Sequence, residues 1–130
     1  MRRLAALALT LLAAFACAEG AGARCLYRGV KVALLGAMYD PDVLVWDSRF
    51  RLSEYQTGTY DATHLLLPHA WILKPGTRGI VRECVPGVVR PRFRTNVDDA
   101  VRIVILNGPY AGRLGWVLSE DVRVMRRARR

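Results

Sequence analysis

The chain has 130 residues, 52% of them hydrophobic, and its 20 basic residues against 11 acidic ones give a formal charge of +9. That length holds one small domain rather than two, and the apolar share excludes a disordered chain. Eighteen of the bases are Arg, and setting aside Arg2, Arg3, Arg126, Arg127, Arg129 and Arg130 leaves 14 bases against 11 acids, or +3. A modestly basic body with basic ends is not the charge pattern of a uniformly basic nucleic-acid binder.

Residues 1–3 form a short basic head, and the 13 residues 4–16 that follow carry no charge. At 1.5 Å per residue such a run falls short of the roughly 30 Å needed to span hydrocarbon. A basic head, a short apolar run and small residues at its end make 1–18 a secretory signal, followed by a flexible linker over 19–26. Ala16-Cys17-Ala18 and Ala14-Phe15-Ala16 both fit small-x-small cleavage. Cys17 also resembles the lipidated cysteine of bacterial lipoproteins, so plain secretion and lipid anchoring at Cys17 both stand.

In an oxidising compartment Cys25 and Cys84 most simply pair with each other. His64 and His69 are five apart and there is no C-x-x-C, so the spacing offers no metal site and no cofactor is expected. A reactive thiol is the rival reading of these cysteines.

Past Cys25 the pattern is one of short strands. Val30, Val32 and Leu34 alternate with Gly29, Lys31 and Ala33, and residues 43–46 are a β-prone run. Residues 65–67 and 71–73 are split by Pro68, so they read as separate strands or a bulged one. Residues 74–77 form a turn, 80–85 a strand, and a basic strand begins near Arg90. Asn96-Val97-Asp98-Asp99 is turn-like; Val101, Ile103 and Ile105 alternate again, and Asn107-Gly108-Pro109 breaks that strand. Residues 114–118 and 122–124 finish the ordered part. No helix of ten or more residues with a 3.6 period is evident. The expected fold is all-β: a small barrel of five to six strands with one long loop over 36–64.

The run from Ala111 to Val122, with Gly115-Trp116, then Ser119-Glu120-Asp121 and Val122, resembles the end of an SH3-like barrel. In that family a Gly-aromatic pair closes a strand, a short 3₁₀ turn follows, and a Val opens the last strand. Pro75-Gly76-Thr77 is similar to the turn entering a barrel strand, and 36–64 takes the place of the first large loop. The resemblance implies an SH3-like domain over 27–125, with 126–130 a basic tail. Bacterial exported domains of this kind are often accessory modules that bind cell-wall peptidoglycan or partner proteins. Leu118 and Asp121 stand where SH3 domains carry ligand-face aromatics and Pro, which argues against proline-rich peptide ligands. Residues 104–115 also resemble the KOW motif of ribosomal and elongation proteins; export argues against that nucleic-acid role.

Arg90, Arg92 and Arg94 alternate, so their side chains share one strand face and are candidates for binding carboxylate or phosphate. Their bland reading is a solvated edge strand carrying Pro91. Trp46, Tyr55 and Tyr60, with Tyr39 and Phe50, crowd the long connection and are ligand-binding candidates; alternatively Trp46 and Phe50 pack that segment onto the barrel. Trp71 and Trp116 read as core, and Asp98-Asp99 and Glu120-Asp121 as turns or caps. No catalytic motif is present. These features predict an exported, periplasmic or extracellular, non-enzymatic module recognising a wall peptide or an envelope protein. Membrane contact through Cys17 or the Arg tail is an accompanying expectation. The alternative is a small wall-modifying enzyme using Cys84 or a histidine.

Overall fold

The computed structural model describes residues 25–36, 40–90 and 97–126. The segment 1–18 expected as a signal, Cys17 within it, Tyr39, Arg92, Arg94 and residues 127–130 lie outside them. The elements in chain order are β1 (Lys31–Leu34), β2 (Val43–Trp46), α1 (Arg49–Thr57), α2 (Tyr60–His64) and a 3₁₀ turn at Leu67–His69. Then come β3 (Ala70–Leu73), β4 (Arg78–Val89), β5 (Asp98–Ile105), β6 (Leu114–Leu118), a 3₁₀ turn at Ser119–Asp121, and β7 (Val122–Val124). The strands form one antiparallel sheet in the order β3-β2-β6-β5-β4-β1-β7, curled into a half-barrel.

The all-β expectation holds, but the sheet has seven strands rather than five or six. β2 falls on the β-prone run expected at 43–46, whereas the rest of the segment expected as one long loop supplies α1 and α2. Leu52 is the only buried residue of α1, so no apolar stripe at 3.6 spacing marks this helix in the sequence. Ser48 caps it, its hydroxyl accepting the Phe50 N–H at 3.2 Å. Asp47 braces the same end, bonded to Arg51 at 2.9 Å and facing His69 Nδ1 at 3.3 Å. Pro68 falls inside a 3₁₀ turn, so residues 65–67 lead into β3 rather than forming a strand. β4 is twelve residues long because two irregularities, at Val81/Glu83 and Val85/Val89, bend it without ending it. Asp98 and Asp99, expected in a turn, open β5, with Asp98 opposite Val89.

Period-two alternation sends Val43 and Val45, Val101, Ile103 and Ile105, and Val117 to one face. There they meet Val32, Leu34, Val81 and Val122 in the main core. The opposite face carries Trp46, Ala100, Leu118 and Val89, packed with Leu52 of α1 into a second cluster. The helix therefore covers one end of the outer face and leaves the other open.

Gly115 lets β6 pass close to β2. A Cβ there would run into Val45 Cγ1 and reach 3.1 Å from the Trp71 ring and 3.2 Å from the Trp46 carbonyl oxygen. Gly115→Ala is expected to cost about 1–3 kcal/mol by overpacking, measured as a lower midpoint in urea with an unchanged slope.

Cys25 and Cys84 form a disulfide with a Cα–Cα distance of 5.7 Å, joining the segment before β1 to the middle of β4. Among the described residues no helix is long and apolar enough to cross a membrane.

Candidate functional site: an arginine groove beside an aromatic shelf

The open end of the outer face is organised by register. The bulge in β4 sets Arg82 and Glu83 against Arg102 of β5, and Arg102 pairs in turn with Trp116 of β6. Trp116 pairs with Trp46 of β2, so Glu83, Arg102, Trp116 and Trp46 form one row across four strands. Helix α1 buries the Trp46 end of the row. At the other end a groove of about 500 Å³ is lined by Arg28, Arg82, Glu83, Arg102, Val104 and Leu114 among its residues. Arg28 reaches it from the turn before β1, whose Gly29 at φ +90° donates its N–H to the Val81 carbonyl at 2.7 Å.

Three guanidinium charges face one carboxylate, Glu83, in this groove. Among the described residues Arg28, Arg82 and Arg102 make no ion pair; Asp47 takes up Arg51 and His69 at a distant point. Next to the groove, Arg49 bridges two aromatic rings, its guanidinium carbon 6.0 Å from the Trp116 centroid and 5.2 Å from that of Phe50. Phe50 is 69% exposed and Trp116, which stands beside Arg102 in the row, is half-buried, so the two rings form an aromatic shelf on the neighbouring strand and helix. Planar guanidinium forks bind carboxylate or phosphate bidentately, and the shelf and the Val104–Leu114 floor take apolar stems.

The sequence-predicted candidates fall differently. Arg90 is exposed just past β4 and does not line the groove, while Arg92 and Arg94 lie outside the described residues. Trp46 is fully buried and presents no surface; its ring packs on Tyr55 with centroids 4.8 Å apart at 40°. Tyr55 is half-buried in that contact. Tyr60 opens α2, and its side chain is outside the described set. So of the two aromatics offered as packing, Trp46 packs and Phe50 does not. Trp71 and Trp116, expected as core, are each half-buried, with Arg113 lying 5.5 Å from the Trp71 centroid.

Arg28, Arg82 and Arg102 were not singled out by sequence. Arg102 between Val101 and Ile103 is an outward position in a strand, which was the one available signal; its neighbours depend on register and a bulge. Comparison of the chain with family models, curated proteins and solved structures finds no match.

Proposed function

We propose that the chain is an exported, non-enzymatic SH3-like module that binds a carboxylate-bearing component of the cell envelope, such as wall peptide. The observation that carries this reading is the convergence of three unpaired arginines on one groove, with Trp116 next to Arg102 in register. Two features support the SH3-like part. Gly115-Trp116 lies in β6, a 3₁₀ turn follows at Ser119–Asp121, and Val122 opens β7. The long connection over 36–64, between β1 and β3, is also consistent with that family's first large loop. The disulfide and the basic-then-apolar N-terminus support export.

Exposed charge pairs contribute only about 0.2–1 kcal/mol each, so affinity must come from several forks acting with the aromatic shelf. Replacing Arg82 and Arg102 together by Gln is expected to weaken co-sedimentation with isolated peptidoglycan about tenfold, the equivalent of about 1.4 kcal/mol. The melting temperature should stay within a few degrees, because neither side chain is paired. Binding of the parent should fall with added salt, since the screening length is about 10 Å at 0.1 M. A chain ending at residue 125 removes the four tail arginines from the measurement. If the double variant binds as the parent does while the Arg90, Arg92, Arg94 triple Gln variant does not, the basic stripe is the ligand face. Retention on RNA in place of peptidoglycan would favour the KOW-like reading.

A further inference from the structure

A second constellation lies away from the groove, where β4 and β5 meet the Cys25 segment. Cys84 pairs in register with Val101, so Asp99 is the next residue along β5 on the same face. The disulfide brings Cys25 to that point. The two sulfurs and an Asp99 carboxylate oxygen all lie within 4.8 Å of one another. Asp99 is only 6% exposed. Its Oδ1 accepts the Gly87 N–H at 2.8 Å, and the bend at Gly87, with φ +63°, aims that donor. Its Oδ2 has no accessible surface and no hydrogen-bond partner. A buried carboxylate oxygen without a donor calls for a partner of opposite sign, and a cation is such a partner.

We infer that Cys25, Cys84 and Asp99 form a redox-gated site for a thiophilic divalent cation of the zinc class. The site is closed while the cysteines are a disulfide, because disulfide sulfur is a poor ligand and thiolate is the binding form. It opens when a small dithiol reductant reaches the half-buried bond. The dithiol supplies two electrons and two protons; the S–S bond breaks to two thiols, and the reductant closes to its own disulfide. Cation binding then releases both thiol protons, giving two metal–thiolate bonds beside the Asp99 carboxylate.

The geometry suits this. With zinc–sulfur bonds of about 2.3 Å, a tetrahedral site holds its sulfurs roughly 3.8 Å apart. The Cα–Cα distance of 5.7 Å allows that through side-chain rotation alone. The Gly87 N–H orients the carboxylate as outer-shell donors do at metal sites. Three protein ligands leave the fourth position to water.

The test uses the chain reduced with a phosphine under argon and titrated with cobalt(II). Reduced parent should bind one cobalt, with a near-ultraviolet sulfur-to-metal band and visible bands of a tetrahedral ion, and zinc should displace it. Oxidised parent should show neither. Asp99→Asn should weaken cobalt binding by about tenfold or more, whereas Asp61→Asn, at an exposed position of α2, should leave it unchanged. Circular dichroism on the same samples reports the fold. A folded reduced chain without the band overturns the proposal, and so does a reduced chain that unfolds and does not refold on adding zinc. Equal affinity in Asp99→Asn overturns the three-ligand assignment.

Discussion

Trp46→Ala is expected to destabilise the fold by about 3–5 kcal/mol, the range for truncating a fully buried large aromatic. Trp46 has no exposed surface, pairs with Trp116 across β2 and β6, and stacks on Tyr55 of α1. Its removal empties the second cluster, where Leu52, Val89, Ala100 and Leu118 meet. For a domain of this size each kcal/mol moves the melting temperature by about 4–8 °C, so the variant should melt at least about 12 °C lower. Trp46→Phe should cost markedly less. The Trp46 Nε1 is buried without an acceptor, and replacing Trp by Phe deletes that unsatisfied donor along with part of the volume. A melt of Trp46→Ala within a few degrees of the parent would mean that α1 is not held by this residue.

Replacing Cys25 and Cys84 by Ser together is expected to cost about 4 kcal/mol. The bond spans 59 residues, and the chain-entropy model assigns that value to a closed loop of such length. The effect is concentrated at one edge of the sheet. β1 has four residues and β7 three, and the disulfide pins the segment entering β1 to the longest strand. Thermal melts of the double Ser variant and of the reduced parent should coincide, both well below the oxidised parent. Coincidence of all three melts would show that the covalent link contributes nothing to folding. Oxidised parent should also present no free thiol at either position under denaturing, non-reducing conditions.

The sequence by itself determined the parts that depend on near neighbours along the chain. Alternation at Val101, Ile103 and Ile105 marks β5, and Leu114–Leu118 and Val122–Val124 appear as strands with the break at Ser119–Asp121 between them. A period of two is written in consecutive residues, so it survives without knowledge of the partner strand. The Cys25–Cys84 pairing was legible for a different reason: once 1–18 is read as a signal, the two remaining cysteines have only each other.

The tertiary structure decided the rest. Helix α1 lacks an apolar stripe because it buries one residue, Leu52, and it exists as a lid over Trp46 and Leu118. Asp98 and Asp99 carry turn chemistry in sequence, yet they lie in a strand because β4 bends at Gly87 and donates its N–H to Asp99. The groove has no local signature at all: Glu83 and Arg102 face each other only once the bulge after Val81 sets the register. Which side chain alternates is a property of the chain; which residue stands opposite, and which face a helix covers, is fixed by contacts between segments far apart in it.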